Sequence, residues 1–288
     1  MLSSLAAAGE DWMSKLPDDR PITALTLPGT HNSGALHEPL RGTAKCQTLK
    51  ISQQLEAGVR FLDVRCRHVG DAFQVYHGSI DQKLSFDEVW ASVAGFLDHH
   101  PTETVVMSVQ EEHRPSQTTR SFEETFRAYW SHHPDRWLIG EKMPSLGAAR
   151  GKVVLFRRFS AVEGPLGFAA SEWPDNRTFG DHRWRVQDGY RVENIASKWE
   201  AVEAMLKEAA TGPSSVLVVN FTSGYQPWAW GLPDIRAVAR PMHARLAAWL
   251  EQNPRGRLGV VMMDFVTPDL ARALYERNGA GLSRRKGG

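Results

Sequence analysis

The sequence predicts a single α/β domain built as a parallel β/α barrel, and three observations carry that reading. Short apolar runs rich in β-branched residues recur with helix-patterned segments between them, the mark of a mostly parallel sheet buried on both faces. Polar residues fall at the C-terminal ends of those runs, at His31, Asp63, Arg65, Glu112, Arg158 and Asp264, and that end of a barrel carries its active site. No repeat, low-complexity tract or linker interrupts residues 1–280, so most of the 288 residues belong to one domain, near the roughly 250 typical of barrels. A doubly wound sheet obeys a similar strand-end rule, but the Gly-x-Gly-x-x-Gly turn of a dinucleotide-binding sheet is missing.

In chain order, residues 22–27 read as the first strand, followed by a Pro28-Gly29-Thr30 turn that presents His31. Residues 59–64 lead into Arg65, and residues 72–76 into His77 and Gly78. Further strands at 104–109, 152–156, 216–219 and 258–263 end at Gln110 to Glu112, Arg157 and Arg158, Asn220, and Asp264. Helices are expected at 85–99, 122–132, 195–210, 233–252 and 268–277. Ser85 with Glu88 forms a capping box, while Pro233 and Pro268 suit first-turn positions. Residues 281–288, Gly281 to Gly288, read as a solvated basic tail.

Composition narrows the function. With 34 Lys+Arg against 33 Asp+Glu the net charge is +1, which lacks the basic excess that a nucleic-acid phosphodiesterase needs. No run of about 18 apolar residues is present to span a bilayer. Residues 1–10 have no basic n-region and too short an apolar stretch for a signal peptide, so the chain reads as cytosolic or as a mature secreted form. Cys46 and Cys66 are either one disulfide or two buried thiols. Ten tryptophans against five tyrosines suggest a core rich in indole, with surface indoles suited to a membrane interface.

The strand-end residues suggest phosphodiester cleavage. His31 and His77 would transfer protons as general base and general acid, and arginine would stabilise charge growing on phosphorus-bound oxygens. Asp63 and Arg65, two apart on a strand, share a face. Taken singly, each residue also has a structural reading: a packing histidine, a rim ion pair, a capping aspartate. Metal binding is a further alternative, but no His-x-x-x-His or Glu-x-Asp spacing occurs at these places, and arginine repels a cation.

Several segments together resemble the catalytic domain of bacterial phosphatidylinositol-specific phospholipase C. They begin with Leu27-Pro-Gly-Thr-His-Asn-Ser-Gly34, Gln54-Leu-Glu-Ala-Gly-Val-Arg-Phe-Leu-Asp-Val-Arg65, His77-Gly78 and Pro101-Thr-Glu-Thr-Val-Val-Met-Ser108. They continue through Arg150-Gly-Lys-Val-Val-Leu-Phe-Arg-Arg158, Trp173-Pro-Asp-Asn176, Val186-Gln-Asp-Gly-Tyr190 and Asn220-Phe-Thr-Ser223 to Val261-Met-Met-Asp-Phe265. The resemblance implies an irregular, incompletely closed TIM-type barrel that cleaves phosphatidylinositol without a metal cofactor, calcium not being expected. Attack by the inositol 2-hydroxyl would give diacylglycerol and inositol 1,2-cyclic phosphate. It also implies His31 as base with Asp264 orienting it, His77 as acid, and Arg65 with Asp63 where eukaryotic enzymes hold calcium. Glu112, Arg158, Asp188 and Tyr190 would line the inositol pocket, Tyr190 beneath the ring.

Two departures stand out. Asn32 replaces an aspartate thought to support the acid histidine, and Gln110 replaces a common pocket lysine. Residues 35–50 lack a tryptophan-bearing interfacial helix, and Trp228 and Trp230 are the alternative candidates for membrane docking. Expected partners are phosphatidylinositol in membranes or micelles and, transiently, the membrane surface; secretion is implied by the resemblance alone. The rivals are a metal-dependent glycerophosphodiester phosphodiesterase and an inactive barrel that only binds inositol lipids.

Overall fold

The computed structural model describes residues 9–227 and 231–279. A 3₁₀ turn at Ile22–Ala24 precedes β1 (Leu27–Thr30), helix α1 (Ile51–Glu56), β2 (Phe61–Val69), β3 (Ala72–His77), β4 (Ile80–Ser85) and α2 (Phe86–His99). Next come β5 (Val105–Glu111), α3 (Phe122–His132), β6 (Trp137–Leu138), α4 (Leu146–Ala149), β7 (Val153–Arg158), β8 (Phe168–Ala169), β9 (Thr178–Gly180) and β10 (Trp184–Gln187). The chain continues through α5 (Ile195–Thr211), β11 (Leu217–Phe221), β12 (Gln226–Pro227), β13 (Pro233–Asp234), α6 (Arg236–Gln252), β14 (Val260–Met263) and α7 (Pro268–Tyr275).

One curled sheet runs in the order β6-β7-β5-β2-β1-β14-β11-β10-β9, with β8 on β7. The pairings from β6 round to β10 are parallel, and β9 runs antiparallel to β10. Among the described residues no ladder joins β8 to β9, so the barrel is irregular and incompletely closed, as expected. Aromatic rings fill the seam instead of hydrogen bonds. Trp173 lies 5.1 Å from Phe179 and 5.6 Å from Trp184, and Phe156 meets Trp184 edge to face at 6.1 Å, between centroids.

Two apolar layers follow from the alternation of strand side chains. Leu27, Phe61, Val106, Val154, Val186, Val219 and Val260 fill the barrel interior. Leu62, Val64, Met107, Val109, Leu155, Val261 and Met263 point the other way, into the layer shared with the helices.

Three element expectations need correction. The first strand is β1 itself, the Leu-Pro-Gly-Thr segment read as a turn, and residues 22–24 form the 3₁₀ turn. Gly29 permits this, because a Cβ there would lie 2.5 Å from Met262 Sδ. Residues 72–77 form an antiparallel hairpin with β4 that extends from β2, so they are not a wall strand. Pro233 pairs with Pro227 in a short ladder, and α6 begins at Arg236. The Ser85/Glu88 capping box and Pro268 in the first turn are both present. Cys46 and Cys66 are two free, buried thiols.

Candidate active site

The site continues the interior alternation upward. Phe61 leads to Asp63 and Arg65, Phe156 to Arg158, Val186 to Asp188, Met262 to Asp264, and the end of β1 to His31. Apolar side chains fill the lower interior, and polar ones line a cavity of about 630 Å³ at the C-terminal mouth, a volume suited to a small ligand. His31, Arg65, His77, Gln110, Glu112, Arg158, Asp188, Tyr190 and Asp264 all reach this cavity, so one space brings together nine of the expected residues.

His31 Nδ1 lies 2.7 Å from Asp264 Oδ1. A carboxylate oxygen accepts, so Nδ1 carries the proton and Nε2 keeps its lone pair for the cavity. Asp264 is fixed in turn: its Oδ2 accepts from Gly224 N–H at 3.3 Å, and its carbonyl meets His243 Nε2 at 2.8 Å. Gly224 sits at φ +155°, and a Cβ there would lie 2.7 Å from the Tyr190 carbonyl oxygen. Buried Gln47 clamps the two strand ends, donating from Nε2 to the carbonyls of His31 and Met263, each at 2.8 Å.

His77, at the end of β3, is set differently. Its Nδ1 donates to the Ala44 carbonyl at 2.6 Å and lies 3.7 Å from Cys46 Sγ. Nε2 is thereby left for the cavity. Burial disfavours the imidazolium and lowers the His77 pKa from its usual range, against the opposing pull of the Ala44 carbonyl. The two imidazoles stand edge to face, 6.2 Å apart between centroids.

Between them lies a cluster of guanidinium and carboxylate. Arg65 Nε donates to Asp63 Oδ2 at 3.0 Å, and Arg158 Nη1 approaches Oδ1 at 3.5 Å. Burial alone would raise the Asp63 pKa, but Arg65 and Arg158 outweigh it and hold the carboxyl at about 2. For Arg65 burial is likewise outweighed, by Asp63, Glu112 and Asp188, and its pKa rises. Arg158 is buried enough that its pKa falls to about 10, and it stacks over Trp173, with Cζ 3.7 Å from the ring centroid. A divalent cation seated on Asp63 would meet two guanidiniums, so the residues present do not fit calcium there.

On the far wall, Asp188 Oδ2 accepts from Trp173 Nε1 at 2.9 Å, and the Tyr190 hydroxyl donates to Asp175. Burial, then Asp175, pushes the Tyr190 pKa up to about 12, so this ring stays a neutral platform. Glu112 accepts from Gly78 N–H at 2.8 Å and from Gln110 Nε2 at 3.1 Å.

Asn32 requires correction. Its side chain is buried, and among the described residues neither amide atom has a hydrogen-bond partner; no hydrogen bond joins it to His77. Its contribution comes from the main chain, whose N–H donates to Asp63 Oδ2 at 3.1 Å. Trp228 and Trp230 lie outside the described residues.

Sequence reasoning missed Trp173, Gln47 and Lys198 as site residues. Lys198 is buried, donates to Gly189 O at 2.8 Å and to Gln187 Oε1 at 3.2 Å, and so braces the turn carrying Asp188 and Tyr190. Burial lowers its pKa to about 8. The Trp173-Pro-Asp-Asn176 segment gave a signal for Trp173, whereas nothing local marked Lys198.

The chain is similar to known proteins over most of its length. The family described as phosphatidylinositol-specific phospholipase C, X domain, matches residues 19–159. A 1-phosphatidylinositol phosphodiesterase of Staphylococcus aureus (strain Newman) is 31% identical over 282 residues, covering 91% of this chain and 90% of that protein. The Listeria monocytogenes protein of the same name is 25% identical over 278 residues, covering 93% of this chain and 85% of that one. A solved S. aureus phosphatidylinositol-specific phospholipase C superposes with a TM-score of 0.85 at 28% identity, covering 95% of this chain and 99% of that one. The solved L. monocytogenes enzyme, at 22% identity and a TM-score of 0.74 over 93% of this chain and 98% of that one, shares the fold. The chain belongs to the phosphatidylinositol-specific phospholipase C family.

Proposed function

We propose that the protein is a phosphatidylinositol-specific phospholipase C that works by metal-independent acid–base catalysis. One observation carries this reading: two imidazoles face one cavity, each tethered through Nδ1, with a buried guanidinium cluster lining the same space. His31 Nε2 takes the proton of the inositol 2-hydroxyl, and that oxygen bonds to phosphorus. The bond from phosphorus to the glycerol oxygen breaks, and the proton on His77 Nε2 passes to the departing diacylglycerol. Arg65 supplies planar donors to the phosphorus-bound oxygens, on which charge grows in the transition state. Arg158, Asp188 and Glu112 suit the ring hydroxyls, and Tyr190 offers a face to the C–H surface of inositol.

The two guanidiniums around Asp63 support metal independence, since they place positive charge where a cation would otherwise serve. Half-exposed Leu40, near Thr43 at the mouth, supports transient contact with a bilayer. Secretion completes the proposal and rests on the family resemblance; fractionation of producing cells checks it, activity confined to the cytosol being the contrary result. Phosphorus NMR of phosphatidylinositol vesicles treated with the enzyme and excess EDTA tests the chemistry. A five-membered cyclic phosphate is expected. No reaction until calcium or magnesium is restored would overturn metal independence.

A further inference from the structure

We propose that His31, Cys46 and Asp264 form an inhibitory site for a thiophilic divalent cation of the Zn²⁺ class. A buried free cysteine ordinarily needs no role beyond packing. Cys46 differs in where its loop delivers it. Its N–H donates to Ala35 O at 2.9 Å, and its carbonyl accepts from Phe265 N–H at 2.6 Å, next to Asp264 in the chain. One ligand atom each from His31, Cys46 and Asp264 then lies within 4.8 Å of the other two.

Tetrahedral zinc, with bonds of about 2.0–2.3 Å, spaces its ligand atoms about 3.4–3.6 Å apart. His31 Nδ1 and Asp264 Oδ1, now 2.7 Å apart, would open by less than about 1 Å, and Sγ, within 4.8 Å of its partners, would close by at most about 1.4 Å. Imidazole nitrogen, thiolate and carboxylate are a zinc-type donor set, whereas calcium and magnesium ask for oxygen ligands. The cavity lined by His31 and Asp264 gives an entry path and leaves a fourth position for a water ligand. A cation that acts on Cys46, Arg65, does not stand unopposed, because it is paired with Asp63 at 3.0 Å.

Binding changes no oxidation state. Metal–nitrogen, metal–sulfur and metal–oxygen bonds form; the Cys46 thiol proton leaves to solvent, and the His31 proton moves from Nδ1 to Nε2, so the ring binds as a neutral imidazole. Inhibition rests on the proposed function, because the ion takes over the carboxylate that orients the base. The site itself does not rest on it.

Cobalt(II) titration of the full chain reads the site without turnover. The expected result is one ion per chain, tetrahedral d–d bands, a thiolate-to-cobalt charge-transfer band, and displacement by Zn²⁺. Cys46→Ser should lose the charge-transfer band and bind Zn²⁺ more than about 10-fold more weakly, whereas Cys66→Ser should match the parent. If Cys46→Ser folds poorly, Cys46→Ala takes its place. On phosphatidylinositol vesicles, Zn²⁺ should suppress the parent reversibly with EDTA and spare Cys46→Ser, each measured against its own metal-free rate. A cobalt spectrum without the thiolate band, or equal Zn²⁺ affinity in parent and Cys46→Ser, overturns the site. A chain that cleaves no phosphatidylinositol yet gives the cobalt spectrum overturns only the proposed function.

Discussion

His31 and His77 share one cavity but not one environment, and the contrast separates their roles. His31 leans on a buried carboxylate at 2.7 Å, which stabilises the imidazolium that forms when it accepts a proton. His77 leans on the neutral Ala44 carbonyl at 2.6 Å, and its burial disfavours the charged ring. A base benefits from a partner that welcomes the proton. An acid benefits from surroundings that release it. The same residue type at two strand ends is thus assigned opposite tasks by what lies behind each ring.

The largest expected effects break this pairing outright. His31→Ala and His77→Ala should each lower kcat on phosphatidylinositol by about 10²–10⁴-fold, as loss of one proton-transfer group typically does. Full activity of either variant in a vesicle assay would remove that residue from the mechanism. Arg65→Lys comes next, with an expected loss of about 10²–10³-fold in kcat, because a point charge does not reproduce planar donors. A rise in KM alone would instead mark Arg65 as a binding residue.

Asp63→Asn tests the cluster through stability. It leaves two buried guanidiniums without their carboxylate, and denaturant unfolding should register a loss of about 3–5 kcal/mol. The wild-type contribution should also be pH-dependent. With its folded pKa at about 2, below the usual carboxylate value, Asp63 stabilises fully above that usual value, and the benefit fades as pH falls toward 2.

The smallest effect is a displaced pH limb. His77 must be protonated to act, and its pKa lies below the ordinary 6.5. The alkaline decline of kcat/KM should therefore have its midpoint below 6.5 and vanish in His77→Ala assayed with a good leaving group. An alkaline limb unchanged in that variant would reassign it to another group.

Much of the site was legible because period-2 alternation and a switch from apolar to polar at the strand ends are local signals. Phe61-Leu62-Asp63-Val64-Arg65 shows the interior face, the outer face and the rim in five residues. Other features depended on contacts distant in sequence. Pro28 and Gly29 look like a turn until Met262 and Val260 arrive beside Gly29 and leave no room for a side chain. The alternation of β3 suits a hairpin edge as well as a wall strand, and only its partner β4 decides. β10 was missed because four residues, Trp184 to Gln187, carry too little pattern alone. The loss of support expected from Asn32 in place of an aspartate could be read from the sequence, but the substitute partner of His77, the Ala44 carbonyl 33 residues away, could not.

The most direct test of the two-histidine assignment varies the leaving group. His31→Ala and His77→Ala are assayed on phosphatidylinositol and on an inositol phosphodiester whose leaving group has a low pKa. A departing anion of low basicity needs no proton, so the second substrate should largely restore His77→Ala while His31→Ala stays slow. Equal rescue of both variants, or rescue of His31→Ala alone, would contradict the assignment of His31 as base and His77 as acid.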